Sequence, residues 1–351
     1  MFSKNKNTKG QIGIAFHDGG ITIGQCSWKN GGYQNSVVKR IDANPRDLSA
    51  DCWQAYMNQT GVAGADCVLS LPPSVAHHQV LRLPNMSEEE LKEASAWEMV
   101  DRLGVDRSTL QLDAIPVGSG GDVLAIAIDQ QVLAGLLDPL YRAGLRPTAI
   151  EPQCVSVART LSLLHRRQSD QSTVRSVLNF GIHGASFIVL AGDSLVFYKN
   201  LEHSGLKLVE AIASHTDVTI EQAEQMLSCS QNETEDIEVS KAVRDATREI
   251  HEAIATDAMK CIRHYGVTNR GPLSTHLIVT GSSGWNTHLA NVLKTSCSQE
   301  VVPDREISHI QSLPSEIISS NGWHVAFGAS LANLYQQKQR RGSDTIIKEA
   351  A

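Results

Sequence analysis

Two stretches of this chain repeat a strand–turn–strand–turn–strand pattern, and that repetition constrains the fold more than any other feature. The clearer copy runs from Ser176 to Lys199, where turns at Gly181–Ser186 and Gly192–Asp193 separate runs of apolar, β-branched and aromatic residues. A shorter copy runs from Gln11 to Cys26, and Tyr33 to Ile41 is a candidate third strand for it. A pair of such units predicts a duplicated fold in which each half carries a hairpin that faces the other.

Two turns rich in glycine and serine are candidate anion sites. In the second hairpin, Gly181, Gly184 and Ser186 offer backbone N–H groups and a hydroxyl without bulky side chains, and such a turn can hold a phosphate. An ordinary glycine-rich hairpin is the alternative interpretation. Later in the chain, a strand at 277–280 runs into the turn Gly281–Gly284 and then a helix, a place where a nucleotide can sit. Since no Lys-Ser/Thr follows, this turn is not a Walker A sequence.

Composition excludes several classes of function. The chain has 351 residues, of which 41% are hydrophobic and 20% are charged, as in a soluble globular protein of two or more domains. Its net charge of -7 argues against nucleic-acid binding through a basic surface. No apolar run is long enough to span a membrane. The seven cysteines show no CxxC or Cys/His spacing, so we expect reduced thiols in a cytoplasmic protein and no metal site.

The segment between the two copies reads β-β-α-β-β-α from Asp66 to Gly144, which predicts a subdomain inserted into the first half. Its first helix is marked by a capping box, because Ser87 is followed three residues later by Glu90. The expected apolar face of that helix consists of Leu91, Ala94 and Trp97. A second capping box, at Thr219 to Gln222, opens a helix in the second half.

These segments predict a domain plan. The expected parts are a first half (11–65, 146–174 and 321–336), an inserted subdomain (66–145), a second half (175–320, with a small subdomain at about 204–245) and flexible tails (1–10 and 337–351).

In the order of its hairpins, inserted subdomain and late Gly/Ser turn, and in its local motifs, the chain resembles the actin-like ATPase superfamily, and within it the type IV pilus assembly protein PilM family. The stretches similar to family motifs are Leu81–Leu91 with Trp97-Glu98, Ala143–Pro147 with Ile150–Pro152 and Ala158-Arg159, Thr219–Glu224, and Trp323–Leu334. The resemblance covers Gly13 to Leu334. It implies an α/β, actin-like (ribonuclease H-like) duplicated fold, with two halves around a central cleft and an inserted α+β subdomain.

The resemblance also implies a function. Such a protein would be a cytoplasmic scaffold of a type IV pilus or related secretion machine, peripheral to the inner membrane. Its expected partner is a PilN-like inner-membrane protein, bound through that protein's cytoplasmic N-terminal segment, with other pilus assembly proteins as further candidates. A peptide could bind by β-addition to an exposed strand edge. The residues expected to form this groove are Leu71, Val80, Leu81, Arg82 and Leu83. Plain core and edge positions are the alternative interpretation.

The chain departs from the family where chemistry would occur. Family members carry Gly-Ile-Asp-Ile-Gly in the first hairpin, whereas this chain has Ala15 at the acidic position and His17 at the second glycine. In the second hairpin, Asn179 replaces the family's other acidic residue. Since Mg²⁺ needs carboxylates, we expect ATP to bind weakly or not at all, no firm Mg²⁺ site, and no catalytic or metal-ligating residue. Asp18 is an acidic neighbour, but it would replace Ala15 only after a register shift.

If a nucleotide binds, the resemblance implies the residues that would face it: His17, Asp18, Gly19, Gly20, Asn179, Gly181, Gly184, Ser186, Ser204, Gly205, Glu221, Glu224, Gly281, Ser282, Ser283 and Gly284. The main alternative function is an active ATPase or phosphotransferase of the same superfamily, which would need metal ligands and a general base near the turns. A binding module of unrelated fold is a third hypothesis.

Overall fold

The structure is a computed structural model that describes residues 8–17, 20–29, 32–33, 36–84, 86–118, 120–162, 173–230, 237–269, 273–281, 287–303 and 322–334. The first part of the chain forms β1 (Thr8–Lys9), β2 (Ile12–His17), β3 (Gly20–Gln25), β4 (Ser27–Lys29), β5 (Gly32–Tyr33), β6 (Val37–Ile41), α1 (Ala50–Thr60) and β7 (Asp66–Leu71). The middle part forms β8 (His77–Arg82), α2 (Glu88–Leu103), β9 (Leu110–Val117), β10 (Asp122–Asp129), α3 (Gln130–Arg142), β11 (Arg146–Pro152) and α4 (Gln153–Leu161).

The last part begins with the clearer of the two hairpin units. It forms β12 (Val174–Phe180), β13 (Ala185–Ala191), β14 (Ser194–Leu201), α5 (Gly205–Thr216), α6 (Ile220–Cys229), α7 (Ile237–Asn269), β15 (His276–Thr280), α8 (Thr287–Ser296), β16 (Glu300–Pro303) and α9 (Trp323–Ser330). Both predicted capping boxes, at Ser87 and at Thr219, are present.

Two five-stranded sheets have the same topology, which confirms the predicted duplication. Their orders are β11-β7-β2-β3-β6 and β14-β13-β12-β15-β16. In each sheet the first strand (β2 or β12) pairs antiparallel with the strand after it and parallel with a strand that follows a helical connection (β7 or β15). The outer strand on each side repeats that orientation. Each half is therefore a mixed α/β unit built around one hairpin.

Helices α4 and α9 pack against each other between the two sheets. Every residue of α9 is buried, including Trp323 and Phe327. Burying a large apolar side chain such as that of Phe327 stabilises the fold by roughly 1.5–3 kcal/mol. The helix lies directly on the first sheet, because a Cβ on Gly13 would be 2.0 Å from the carbonyl oxygen of Ala326. The outer face of the first sheet carries α1 and α3, and that of the second carries α5, α7 and α8.

The inserted subdomain is smaller than the predicted 66–145. Strand β7 pairs with β2 and so belongs to the first sheet, and α3 packs on the outer core of that sheet through Leu136 and Leu140. The separate sheet is β8-β10-β9, and α2 covers one of its faces. Its other face packs on β14 of the second half, where the Gly118 N–H donates to the Leu195 carbonyl at 2.9 Å. The insertion therefore bridges the two halves.

Residues 8–10 differ from the expectation of a flexible tail over 1–10, and residues 1–7 lie outside the described residues. Strand β1 pairs with Ser27 and Trp28, and the Gly10 N–H donates to the Cys26 carbonyl at 2.9 Å. The predicted C-terminal tail, 337–351, lies outside the described residues. Among those that are described, no helix combines the length and the apolar character needed to cross a bilayer.

Candidate functional site

A narrow cleft lies where the two hairpins and the start of α9 meet. Its cavity volume is about 30 Å³. Its lining consists of His17, Pro72, Pro73, Ser74, Gln153, Asn179, Gly181, Gly184, Ala185, Ser186, Gly281, Gly322, His324 and Val325. Six of the residues expected to face a nucleotide are therefore brought together: His17, Asn179, Gly181, Gly184, Ser186 and Gly281.

The strand registers place the two replaced acidic positions in equivalent surroundings. Ala15 on β2 lies opposite Thr22, and Asn179 on β12 lies opposite Ser186. Both positions are closed to bulk solvent, since Ala15 is fully buried and Asn179 is 8% exposed. A methyl group at Ala15 provides neither a metal ligand nor a hydrogen-bond acceptor, and the Asn179 amide provides an acceptor without charge.

His17 fills the first-hairpin side of the cleft. Its Nε2 is 3.0 Å from Oγ1 of Thr22, and its ring lies against Gly322. Burial, and then the Arg40 guanidinium, lower the pKa of His17 to about 3. The side chain is therefore a neutral imidazole at physiological pH, and it occupies space where the resembled family has only a glycine.

His324, on the first turn of α9, lies on the other side of the same space. It is 3% exposed, and its Nε2 is 2.7 Å from Oγ1 of Thr280 at the end of β15. Burial, and then the proximity of His17, lower the pKa of His324 to about 3. This contact ties the helix that packs on the first sheet to a strand of the second sheet.

Gln153, the first residue of α4, makes a similar connection. Its Nε2 donates to the Phe16 carbonyl at 2.8 Å, and its Oε1 accepts a long hydrogen bond of 3.4 Å from Nδ2 of Asn179. The two hairpins are thus joined through one buried amide side chain.

The second hairpin turn is closed on itself. The Gly181 N–H donates to the Gly184 carbonyl at 2.8 Å, so it is not available to an anion. The Gly205 N–H donates to the Gly181 carbonyl at 2.9 Å, and Ser204 caps α5. Gly205 therefore holds the turn through its backbone, and neither Ser204 nor Gly205 lines the cleft. Gly281, with φ of 103°, is required by backbone contact, because a Cβ there would be 2.5 Å from the Phe180 carbonyl oxygen.

The other residues expected to face a nucleotide lie elsewhere. Glu221 and Glu224 are on the exposed surface of α6, where backbone and Thr219 hydrogen bonds lower the pKa of Glu221. Gly20 begins β3 and is not among the residues that line the cleft; a Cβ there would meet the Ile41 carbonyl oxygen at 2.8 Å. Asp18, Gly19, Ser282, Ser283 and Gly284 lie outside the described residues.

Sequence reasoning missed several lining residues and one neighbouring cation. Gln153, Gly322 and His324 sit at helix N-termini, and Pro72–Ser74 follow a parallel strand, which are the places where ligand clefts of α/β sheets form. Arg40 lies two strands from Ala15, and its Nε donates to Oδ1 of Asp42 at 2.8 Å. Its Nη1 is buried and has no hydrogen-bond partner among the residues that the structure describes.

The chemistry available to the cleft follows from this lining. None of its lining residues in the described part of the chain is a carboxylate, and no cluster of three or more His, Cys, Asp or Glu side chains there could hold a metal ion. Mg²⁺ bound to a triphosphate prefers carboxylate oxygens, and imidazoles as weakly basic as those of His17 and His324 are poor general bases at neutral pH. The described residues therefore fit a small hydrogen-bonding ligand or water better than Mg²⁺-ATP.

Four of the five residues predicted to form the peptide groove lie on or directly after β8, the edge strand of the inserted sheet, whereas Leu71 ends β7 of the first sheet. Leu71 and Leu81 are core residues, each 2% exposed, whereas Arg82 is exposed and Val80 and Leu83 are half-buried. The carbonyls along the outer edge accept from side chains: His78 from Asn200 at 2.8 Å, and Val80 from Gln79 at 3.3 Å. Since edge groups alternate along an antiparallel strand, the backbone of Arg82 also points outward.

Comparison with known proteins gives a fold. No protein-family model and no curated protein matches the chain. Among solved structures, a chain of a PilM–PilN type IV pilus biogenesis complex is similar at 19% identity with a TM-score of 0.67, covering 92% of this chain and 98% of that one. Two others have TM-scores too low to carry any argument. The first is ethanolamine utilization protein EutJ from Carboxydothermus hydrogenoformans, at 11% identity, 93% and 92% coverage and a TM-score of 0.49. The second is the cytoplasmic domain of EpsL, from the type II secretion system of Vibrio cholerae, at 12% identity, 60% and 78% coverage and a TM-score of 0.37.

The predicted fold class is confirmed by two features. The two sheets share one topology, with a helix pair packed between them. The similarity to the PilM–PilN complex chain extends over nearly all of both chains. The chain therefore has the actin-like fold, duplicated around a central cleft and carrying an inserted subdomain.

Proposed function

We propose that this protein is a cytoplasmic scaffold of a type IV pilus or related secretion machine, held at the inner membrane by a PilN-like partner. The observation that carries the proposal is its similarity, over 92% of its length, to a chain of a PilM–PilN type IV pilus biogenesis complex. A partner of the PilN kind would bind this protein through its cytoplasmic N-terminal segment and would thereby hold it at the membrane.

The cleft supports a scaffold rather than an ATPase. His17 occupies the position of a family glycine, and the equivalent acidic positions are Ala15 and Asn179. A nucleotide would meet neutral imidazoles and amides rather than the carboxylates that hold Mg²⁺. Any ATP binding would then be weak and independent of Mg²⁺. The cleft would have a structural role in the fold and not a catalytic one.

The outer edge of β8 is the proposed peptide site. Beyond the bond between His78 and Asn200, the backbone groups of Val80 and Arg82 point away from β10, where an added strand could pair with them. The exposed guanidinium of Arg82 would favour a peptide with an acidic group near that position.

Isothermal titration calorimetry tests the proposal. A synthetic peptide of the cytoplasmic N-terminal segment of the organism's PilN-like protein should bind the full-length chain, and Arg82→Glu should weaken binding. The matched control is Arg102→Glu on α2, which reverses an exposed arginine away from the strand edge. No binding to the wild-type protein would contradict the partner assignment. Equal affinities of the peptide for the wild-type protein and for Arg82→Glu would show that the peptide does not bind at the β8 edge.

A further inference from the structure

We propose that the outward face of α2 is a docking surface for a basic, arginine-containing segment of a partner protein. The centre of this face is Trp97, whose side chain is 65% exposed. The sequence pattern had placed Trp97 on the buried face, but α2 buries Ser95, Ala96 and Met99 instead. Tryptophan is enriched among the interface residues that dominate binding energy. This inference does not depend on the peptide site at β8.

The helical geometry places a carboxylate on each side of the Trp97 indole ring. At about 100° per residue, Glu93, Trp97 and Asp101 fall within an arc of roughly 80° on the side opposite the buried residues. Glu93 lies one turn before the tryptophan and Asp101 one turn after it, so both carboxylates are neighbours of the ring on the helix surface. Both are exposed.

The basic residues of the helix are engaged with other carboxylates. Nζ of Lys92 lies 3.1 Å from Glu88 and 3.7 Å from Asp113. Nε of Arg102 lies 3.5 Å from Glu98. By contrast, Glu93 and Asp101 make no ion pair with any residue in the described ranges. The face therefore combines an exposed aromatic ring with negative charge that the helix itself does not compensate.

This combination selects one kind of occupant. An arginine guanidinium can stack on an indole and donate hydrogen bonds to a carboxylate beside it, so each interaction reinforces the other. The half-buried Ala94 and Val100 flank the ring and can contact the apolar stem of such a side chain. Anionic lipid would be repelled by this face. A second copy, at a net charge of -7, would also bring like charge to it.

Fluorescence anisotropy tests the proposal with a labelled peptide of repeating Arg-Leu-Ala units and the full-length protein. We expect saturable binding at low salt that weakens as salt is raised. Trp97→Ala should weaken binding by about tenfold or more, as expected for a central aromatic contact. Trp97→Phe should retain part of the affinity. The double variant Glu93→Gln/Asp101→Asn should weaken binding and reduce its salt dependence.

Matched controls separate this face from nonspecific attraction. Tyr141→Ala removes another exposed aromatic side chain, from α3, and Glu249→Gln removes an exposed acid from α7; neither should change the affinity. Circular dichroism checks that every variant is folded. The proposal is overturned if Trp97→Ala binds like the wild type, if Tyr141→Ala weakens binding equally, or if a Glu-Leu-Ala peptide binds as well. It is also overturned if sedimentation shows that Trp97 instead mediates self-association.

Discussion

The imidazole of His17 lies directly against Gly322, where a Cβ atom would be only 2.4 Å from Cε1 of the ring. His17 ends a strand of the first sheet, and Gly322, with φ of 74°, precedes the first turn of α9. The ring fits because this position carries no side chain. Two residues from opposite ends of the chain therefore determine how much space the cleft contains.

Replacing Gly322 with alanine should destabilise the protein for two separable reasons. A left-handed φ costs a non-glycine residue about 1–2 kcal/mol, and the added methyl would also collide with His17. We expect the free energy of unfolding in urea to fall by more than this backbone cost alone.

Gly61→Ala provides the matched control for that measurement. Gly61 has nearly the same φ, 73°, but a Cβ there meets nothing within 4 Å. The extra loss in Gly322→Ala should shrink when His17 is also changed to alanine. Equal losses in Gly322→Ala and Gly61→Ala would show that the contact with His17 carries no energetic cost.

Low pH should destabilise the protein through two cleft histidines, His17 and His324. Burial lowers the pKa of both His17 and His324 to about 3, whereas an unfolded histidine titrates near 6.5. Between those values the unfolded chain binds more protons than the folded one, so stability is fully present above about pH 6.5 and is lost as the pH falls toward 3. Each group can contribute up to about 1.4 kcal/mol per pH unit within that window.

Urea unfolding at a series of pH values measures this effect. His324→Gln should make the dependence between neutral pH and pH 5 shallower, because glutamine does not titrate. His264→Gln is the control, since His264 is exposed. His78 and His251, whose pKa values burial lowers to about 4, maintain part of the slope in every variant. An unchanged slope in His324→Gln would contradict the assignment.

Sequence patterns were sufficient for the duplicated fold because hairpins and capping boxes are local features. The turn at Gly181–Gly184 and the caps at Ser87 and Thr219 depend on residues a few positions apart, which a single chain displays directly. The convergence of His17 with Asn179 was implied by the family resemblance, which assigns both residues to the cleft, and the structure places both in its lining.

What the sequence did not predict depends on contacts between distant segments. Gln153 and His324 reach the cleft only because α4 and α9 pack between the sheets, which no local pattern specifies. Strand β7 reads as part of the insertion until its pairing with β2 is seen. Trp97 satisfied an apolar periodicity, but α2 buries Ser95, Ala96 and Met99 instead.

Restoring the family residues should restore metal dependence. In the triple variant Ala15→Asp/His17→Gly/Asn179→Asp, two carboxylates return and the imidazole no longer fills the cleft. We expect calorimetry to show that Mg²⁺ raises its affinity for ATP by about tenfold or more, whereas Mg²⁺ should not change ATP binding by the wild type.

Two further measurements are controls for this experiment. Thermal unfolding should show the triple variant to be less stable without Mg²⁺, because unpaired buried carboxylates are costly. His17→Gly alone should not gain metal dependence. Mg²⁺-dependent ATP turnover by the wild-type protein, abolished in His17→Ala, would instead identify an active enzyme.

Proline at position 82 should block peptide addition to β8 without disturbing the inserted sheet. The backbone N–H of Arg82 points away from β10, so its loss removes a bond to an added strand but none of the sheet's own hydrogen bonds. Arg82→Pro should therefore weaken binding of the PilN-like peptide by about tenfold, because a hydrogen bond is lost and the ring obstructs the edge. Arg82→Ala keeps the N–H and should weaken binding less. Equal effects of the two changes in calorimetric titrations would mean that the side chain of Arg82, and not its backbone, recognises the peptide.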